Sequence, residues 1–76
     1  MLERVFAAIA DVMGVPRESL NSDSNADTVP NWDSLHVITL ALALEANFDV
    51  SFTPEEIAQM LSVRAVMGIL KDKAAA

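Results

Sequence analysis

The stretch Asn31-Trp32-Asp33-Ser34-Leu35-His36 brings a carboxylate, a hydroxyl and the chain's one imidazole within four positions. Those are the residue types of a nucleophile with its base and its orienting acid. The spacing argues against that chemistry. An apolar run at helical period follows Ser34, and on a helix positions i and i+2 point roughly 200° apart, so His36 cannot take the serine proton. There is no G-x-S-x-G elbow, and the two lysines stand far along the chain at Lys71 and Lys73. His36 is expected at the surface or rim. What these residues do offer is a helix start. Asp33 is placed as N-cap, its carboxylate accepting from the backbone N–H of Leu35 or His36. Trp32 and Val37 take the two positions of a hydrophobic staple. Ser34 becomes the first helical residue, its hydroxyl free and outward. A phosphate attached there would meet unpaired N–H groups at the positive end of the helix dipole.

A near-copy, Arg17-Glu18-Ser19-Leu20, is followed by Asn21-Ser22-Asp23-Ser24-Asn25-Ala26-Asp27, so Ser19 has no helix to begin and no apolar face beside it. That heptad carries oxygen ligands at alternate positions, as a calcium loop does. Its sixth position is Ala26 where glycine is needed and its twelfth is Trp32 where a bidentate glutamate should stand. We expect no metal site there, and read these residues as turns that keep the chain soluble.

The 76 residues make one small domain, residues 1–76, able to bury only roughly 60% of its unfolded surface. Eleven acidic residues against five basic ones give a net charge of −6, which repels nucleic acid and anionic membranes and favours basic protein surfaces. Without cysteine there is no disulfide, thiol or zinc-thiolate site. Glu3 and Asp11 interrupt the apolar start, so it is no signal peptide, and no run approaches a membrane span. A cytoplasmic monomer is expected.

The elements that must position Ser34 follow from periodicity and caps. Leu2, Val5, Phe6, Ile9, Val12 and Met13 predict a helix over 2–13, ended by Gly14 and Pro16. A long loop over 14–33, anchored by Leu20 and Val29, leads to a helix over 34–46. Thr53-Pro54-Glu55-Glu56 is a capping box with proline at the first helical position, starting a short helix over 54–61. Ser62 caps a fourth over 63–72. The fold class is all-α: a small four-helix bundle of three main helices and one short one.

The 34–46 helix has an apolar face to spare. Val37, Leu40, Ala41 and Leu44 satisfy the core spacing. Leu35, Ile38 and Leu42 form a second stripe on the arc of Ser34 and Glu45. Either the bundle buries this helix on most sides, or the stripe is a docking surface. In a docking surface the affinity would come from the stripe, since each side chain contributes on the order of 1.5–3 kcal/mol when buried and an exposed ion pair roughly 0–1. The Ala- and Met-rich interior, with Ala41, Met60, Ala65 and Met67, could also open a void.

Asp33-Ser34-Leu35 after a long loop, followed by Ala43-Leu44-Glu45 through Phe48-Asp49-Val50, Pro54-Glu55-Glu56-Ile57 and the Ser62-Val63 restart, resembles the acyl carrier proteins, of the phosphopantetheine-binding carrier family. The resemblance covers the first helix to Leu70. It implies that Ser34 receives covalent 4′-phosphopantetheine from coenzyme A through a separate phosphopantetheinyl transferase using Mg²⁺. The arm's thiol would hold acyl groups as thioesters for acyl-loading and acyl-processing enzymes with basic or apolar docking surfaces. The chain itself would then be no enzyme. By the same resemblance Asp33 helps the transferase place its metal, Leu35 contacts the transferase, and Ile38, Leu42 and Glu45 lie on the partner-recognition helix. The sequence differs from the fatty-acid-synthesis type at His36, Thr39 and Ala46, where that type is acidic, and at Asn31-Trp32. Fatty acid, polyketide, related lipid and aminoacyl or peptidyl pathways all stay open, as does an unmodified helical adaptor using the same stripe.

Overall fold

The computed structural model describes residues 2–75. Four helices form: α1 (Leu2–Met13), α2 (Ser34–Phe48), α3 (Pro54–Ala58) and α4 (Val63–Ala75). They close around one apolar cluster drawn from Val5, Ile9 and Met13 of α1, Leu40 and Leu44 of α2, Met60, and Val63, Val66 and Leu70 of α4. The expected core face of α2 is the buried one: Val37, Leu40, Ala41 and Leu44 are all inside. Among the described residues no helix is long and apolar enough to cross a membrane.

The helix ends explain where the boundaries fall. Gly14, at φ +69°, lets the chain turn back after α1, and the Val15 N–H bonds to Ala10 O at 3.1 Å. The expected end of α2 at residue 46 is two residues early. Asn47 is helical, and Asp49 at φ 54° takes the left-handed stop that glycine usually supplies, its N–H bonding to Glu45 O. Arg4 of α1 covers this end, its guanidinium 4.5 Å from the Phe48 ring centre and donating to Asn47 O. The helix thus gains from α1 the basic partner that its own last turn lacks.

The short helix is shorter than expected, ending at Ala58 rather than residue 61. Its capping box forms in full, with Glu56 N–H donating to Thr53 Oγ1 and Thr53 N–H to Glu56 Oε1. Beyond Ala58 the bonds tighten to i→i−3, from Gln59 to Glu56 and from Met60 to Ile57. The carbonyls of Met60 and Leu61 then leave the helix for the long loop: Trp32 Nε1 donates to the first at 2.9 Å and Ala26 N to the second at 2.9 Å. Ser62 caps α4 as expected, accepting from Ala65 N–H at 3.0 Å. That helix runs to Ala75, past the expected residue 72. Alanines are strong helix formers, and Lys73 is drawn inward to Glu56 at 2.9 Å and toward the Phe52 ring.

The loop over 14–33 is not structureless. It contains a single 3-10 turn at Arg17–Ser19, so the near-copy of the serine motif has local structure after all, with Ser19 as its last residue. Leu20 and Val29 are buried as expected, and Trp32 with them. Asn21 and Asn25 each accept from the N–H two residues on, which makes the two turns expected of the polar heptad. Ser24 is buried, accepts from Asn21 N–H, and gives its carbonyl to Val63 N–H at 3.0 Å.

The Glu56 carboxyl is held below its ordinary 4.5, first by the Thr53 N–H and then by Lys73. Glu3, bound by Arg17, and Asp33, bound by His36, are held down likewise. A carboxyl depressed on folding favours the folded state above its ordinary value, and that advantage fades as pH falls through the folded one. The melting temperature should therefore drop as pH is lowered below about 4.5. In Glu56→Gln, which keeps the cap acceptor and loses the Lys73 pair, that drop should be shallower. An unchanged profile of melting temperature against pH in the variant would remove Glu56 from the account.

Candidate functional site

The start of α2 is built from both sides. On the loop side Asn31 sits at φ 68°, in the left-handed region, and its Nδ2 donates to Met13 O at 2.9 Å, satisfying a carbonyl at the end of α1. Trp32, next in the chain, is buried and hydrogen-bonded through its indole N–H. Its expected staple partner Val37 is buried in the same cluster. Asp33 is the N-cap: Oδ1 accepts from His36 N–H at 2.9 Å. The His36 ring folds onto the same oxygen, Nδ1 to Oδ1 at 2.8 Å. These contacts, the backbone one foremost, hold the Asp33 carboxyl below its ordinary 3.8.

Ser34 is the first residue of α2 and is exposed. Among the described residues no side chain hydrogen-bonds to its hydroxyl; the one imidazole lies on Asp33 instead. The hydroxyl therefore has no base poised to activate it, as the i and i+2 spacing predicts. Beside it opens a cleft of about 610 Å³, walled by Trp32, Val37 and Ile38 on one side and by Pro54, Ile57, Ala58 and Leu61 on the other. Asp33 and Ser34 stand at its edge. A cleft of this size, apolar with a few polar groups at one end, suits a flexible organic chain tethered at Ser34. The helix N-terminus beneath the hydroxyl suits a phosphodiester. The void expected among Ala41, Met60, Ala65 and Met67 does not line this cleft; Ala41 and Met60 are closed in the core.

The stripe is a surface rather than a core. Leu35 is 71% exposed, Ile38 50% and Leu42 61%. Glu45 is placed differently from the other residues of that arc. It is half-buried and its Oε2 accepts from Phe52 N–H at 2.9 Å, tying the end of α2 to the approach of α3. Sequence reasoning missed this use of Glu45 and also missed Leu61, which is 59% exposed on the far wall of the cleft. Leu61 sits before the Ser62 cap, where a staple residue would be buried, so no local signal marked it as surface.

Comparison with known proteins agrees with this geometry. Residues 3–70 match the family described as "Phosphopantetheine attachment site". An acyl carrier protein of Thermosynechococcus vestitus is 33% identical over 76 residues, covering 100% of this chain and 94% of that one. One from Clostridium acetobutylicum is 31% identical over 71 residues, 93% and 92% of the two chains, and one from Syntrophobacter fumaroxidans 33% over 76, 99% and 94%. The chain belongs to the acyl carrier protein family of phosphopantetheine-binding carriers. The prosthetic group of that family is covalently attached 4′-phosphopantetheine.

Trp32 is the side chain on which the site's loop wall depends. Trp32→Phe keeps a buried aromatic ring but leaves Met60 O without its donor, so it should destabilise the fold by about 1–3 kcal/mol. For a domain of this size that corresponds to a fall in melting temperature of several degrees, on the order of 4–8 °C per kcal/mol. A thermal melt indistinguishable from wild type would show that the bond contributes nothing net.

Proposed function

We propose that residues 1–76 act as one carrier domain that holds acyl intermediates as thioesters on a phosphopantetheine arm attached to Ser34, and that separate enzymes do all the chemistry. The observation that carries this reading is the exposed, unactivated Ser34 hydroxyl at the first residue of α2, on the edge of an apolar cleft. In the attachment step Ser34 Oγ forms a bond to the phosphorus that links the pantetheine half of coenzyme A to its nucleotide half. The bond from that phosphorus to the nucleotide phosphate breaks, and the serine proton passes to a base of the transferase. Once attached, the arm supplies the thiol that a cysteine-free chain lacks.

The chain's own residues position this step. Asp33 fixes the first turn of α2 through Oδ1 and presents its carboxylate beside the serine, where a transferase's metal would be held. The N–H groups of the first turn face the phosphodiester. Leu35, Ile38 and Leu42 form the face on which enzymes dock. The three relatives compared above are each named acyl carrier protein, which favours an acyl cargo over an aminoacyl one. The protein is read as a cytoplasmic monomer serving fatty acid, polyketide or related lipid synthesis.

Coexpression with a promiscuous phosphopantetheinyl transferase should raise the intact mass by one phosphopantetheine, and Ser34→Ala should abolish the increase while leaving the helical circular dichroism unchanged. A wild-type mass that stays put while a control carrier is modified would overturn the reading. So would modification that persists in Ser34→Ala.

A further inference from the structure

We infer that His36 is a positioning residue for the transfer onto Ser34: its ring pins one oxygen of Asp33 to the helix cap, so that the other is presented as a single fixed acceptor beside the serine hydroxyl. This rests on the carrier reading above and adds to it a residue that neither reaches the serine nor lines the apolar cleft.

His36 stands third in α2, where a glutamate would complete a capping box and where the positive end of the helix dipole favours an anion. The first turn of α2 holds no acidic residue. The backbone N–H that such a glutamate would serve, that of Asp33, is already given to Asn31 O at 2.9 Å, so the helix needs no reach-back from this position. An imidazole by itself does little for a helix start. The hydrogen bond its ring makes is to Asp33.

Both bonds from His36 land on the same oxygen: the backbone N–H at 2.9 Å and Nδ1 at 2.8 Å from Asp33 Oδ1. Among the described residues Oδ2 accepts from none. The Asp33 side chain is 59% exposed. Held by the backbone bond alone, such a carboxylate can turn about its own axis and exchange its two oxygens. A ring seated on Oδ1 from a second direction removes that freedom. Because a carboxylate only accepts, the ring donates from Nδ1, and in the neutral imidazole Nε2 is then bare. The two bonds also keep the Asp33 carboxyl below its ordinary 3.8, the backbone one foremost, so that it is an anion at neutral pH.

An anion beside the attacking hydroxyl repels the diphosphate of incoming coenzyme A unless a cationic group of the transferase lies between them. One oxygen in one place defines where that group sits, and transfer is sensitive to such placement. A turning carboxylate defines no place.

The test is the kinetics of modification of the apo protein by a promiscuous phosphopantetheinyl transferase at saturating coenzyme A and Mg²⁺. His36→Ala keeps the backbone bond of the cap, so its helical circular dichroism should match wild type. Its kcat should fall roughly tenfold while its KM for the carrier changes less than about threefold. His36→Asn, whose Nδ2 takes the place of Nδ1, should recover kcat to within about threefold of wild type. In Asp33→Ser, which keeps a capping oxygen and loses the carboxylate, removing the ring should cost nothing further. Without any transferase, the ¹⁵N spectrum of the ring at about pH 9, where an ordinary imidazole is neutral, should place the proton on Nδ1. A kcat indifferent to His36→Ala overturns the inference, as does an equal loss in the Asp33→Ser background, a loss that asparagine does not repair, or a ring proton on Nε2. If the wild-type chain is not modified at all, the attachment at Ser34 falls and this inference with it; if it is modified and His36→Ala is modified as fast, this inference alone falls.

Discussion

The place of Ser34 depends on three hydrogen bonds that fasten the long loop to the junction of α3 and α4. Met60 O takes the Trp32 indole N–H, Leu61 O takes the Ala26 N–H, and Ser24 O takes the Val63 N–H. Each contributes only about 0.5–1.5 kcal/mol net, but a buried group left unpaired costs about 1–3. The loop and the junction therefore stand or fall together. Because the two carbonyls are committed to the loop, no α-helix can run on from α3 through residues 60 and 61, and the chain turns into α4. Because Trp32 is held at Met60, the next residues, Asp33 and Ser34, arrive facing α3 across the cleft. The bonds that shorten one helix are those that aim the next.

That arrangement lets α2 serve two masters on opposite arcs. Its inner residues, Leu40 and Leu44, are fully buried and complete the core with Ile9, Met13 and Leu70. Its outer leucines stay in water, although burying each would contribute on the order of 1.5–3 kcal/mol. A chain selected for stability alone would replace them with polar residues. Their exposure in a small fold, which has little apolar area to spare, is stability that the isolated chain forgoes. The fold rests instead on interior side chains with no exposure, such as Val5, Ile9 and Val66.

Much of this was legible in the sequence because it is local. The start and end of α1, the Asp33 cap, the Thr53 to Glu56 box and the Ser62 cap each declare themselves within four residues, and the two faces of α2 follow from its period. What could not be read depends on partners far along the chain. The end of α2 is supported by Arg4, more than forty positions away, and Trp32 and Ala26 claim the carbonyls of Met60 and Leu61 just past α3. Glu45 sits on the same arc as Leu35, Ile38 and Leu42, and only the approach of Phe52 N–H gives its carboxylate an internal use. Leu61 is surface because Met60, its neighbour, takes the core position.

The chemistry of the site is then a matter of what the chain withholds. A serine poised for attack needs a base within hydrogen-bond reach. Here the one imidazole is turned 2.8 Å onto Asp33, and Asp33 itself is committed to the helix cap. The same commitments protect the linkage that the carrier reading places on Ser34. A phosphodiester beside an unengaged histidine and carboxylate would have a general base at hand to activate water against it. On the carrier reading, a helix start that offers N–H groups to the phosphate and keeps its imidazole on the cap would hold the arm without assisting its loss. A carrier needs the serine to be reactive only in the hands of the transferase, and an unassisted hydroxyl at the head of a well-capped helix meets that requirement.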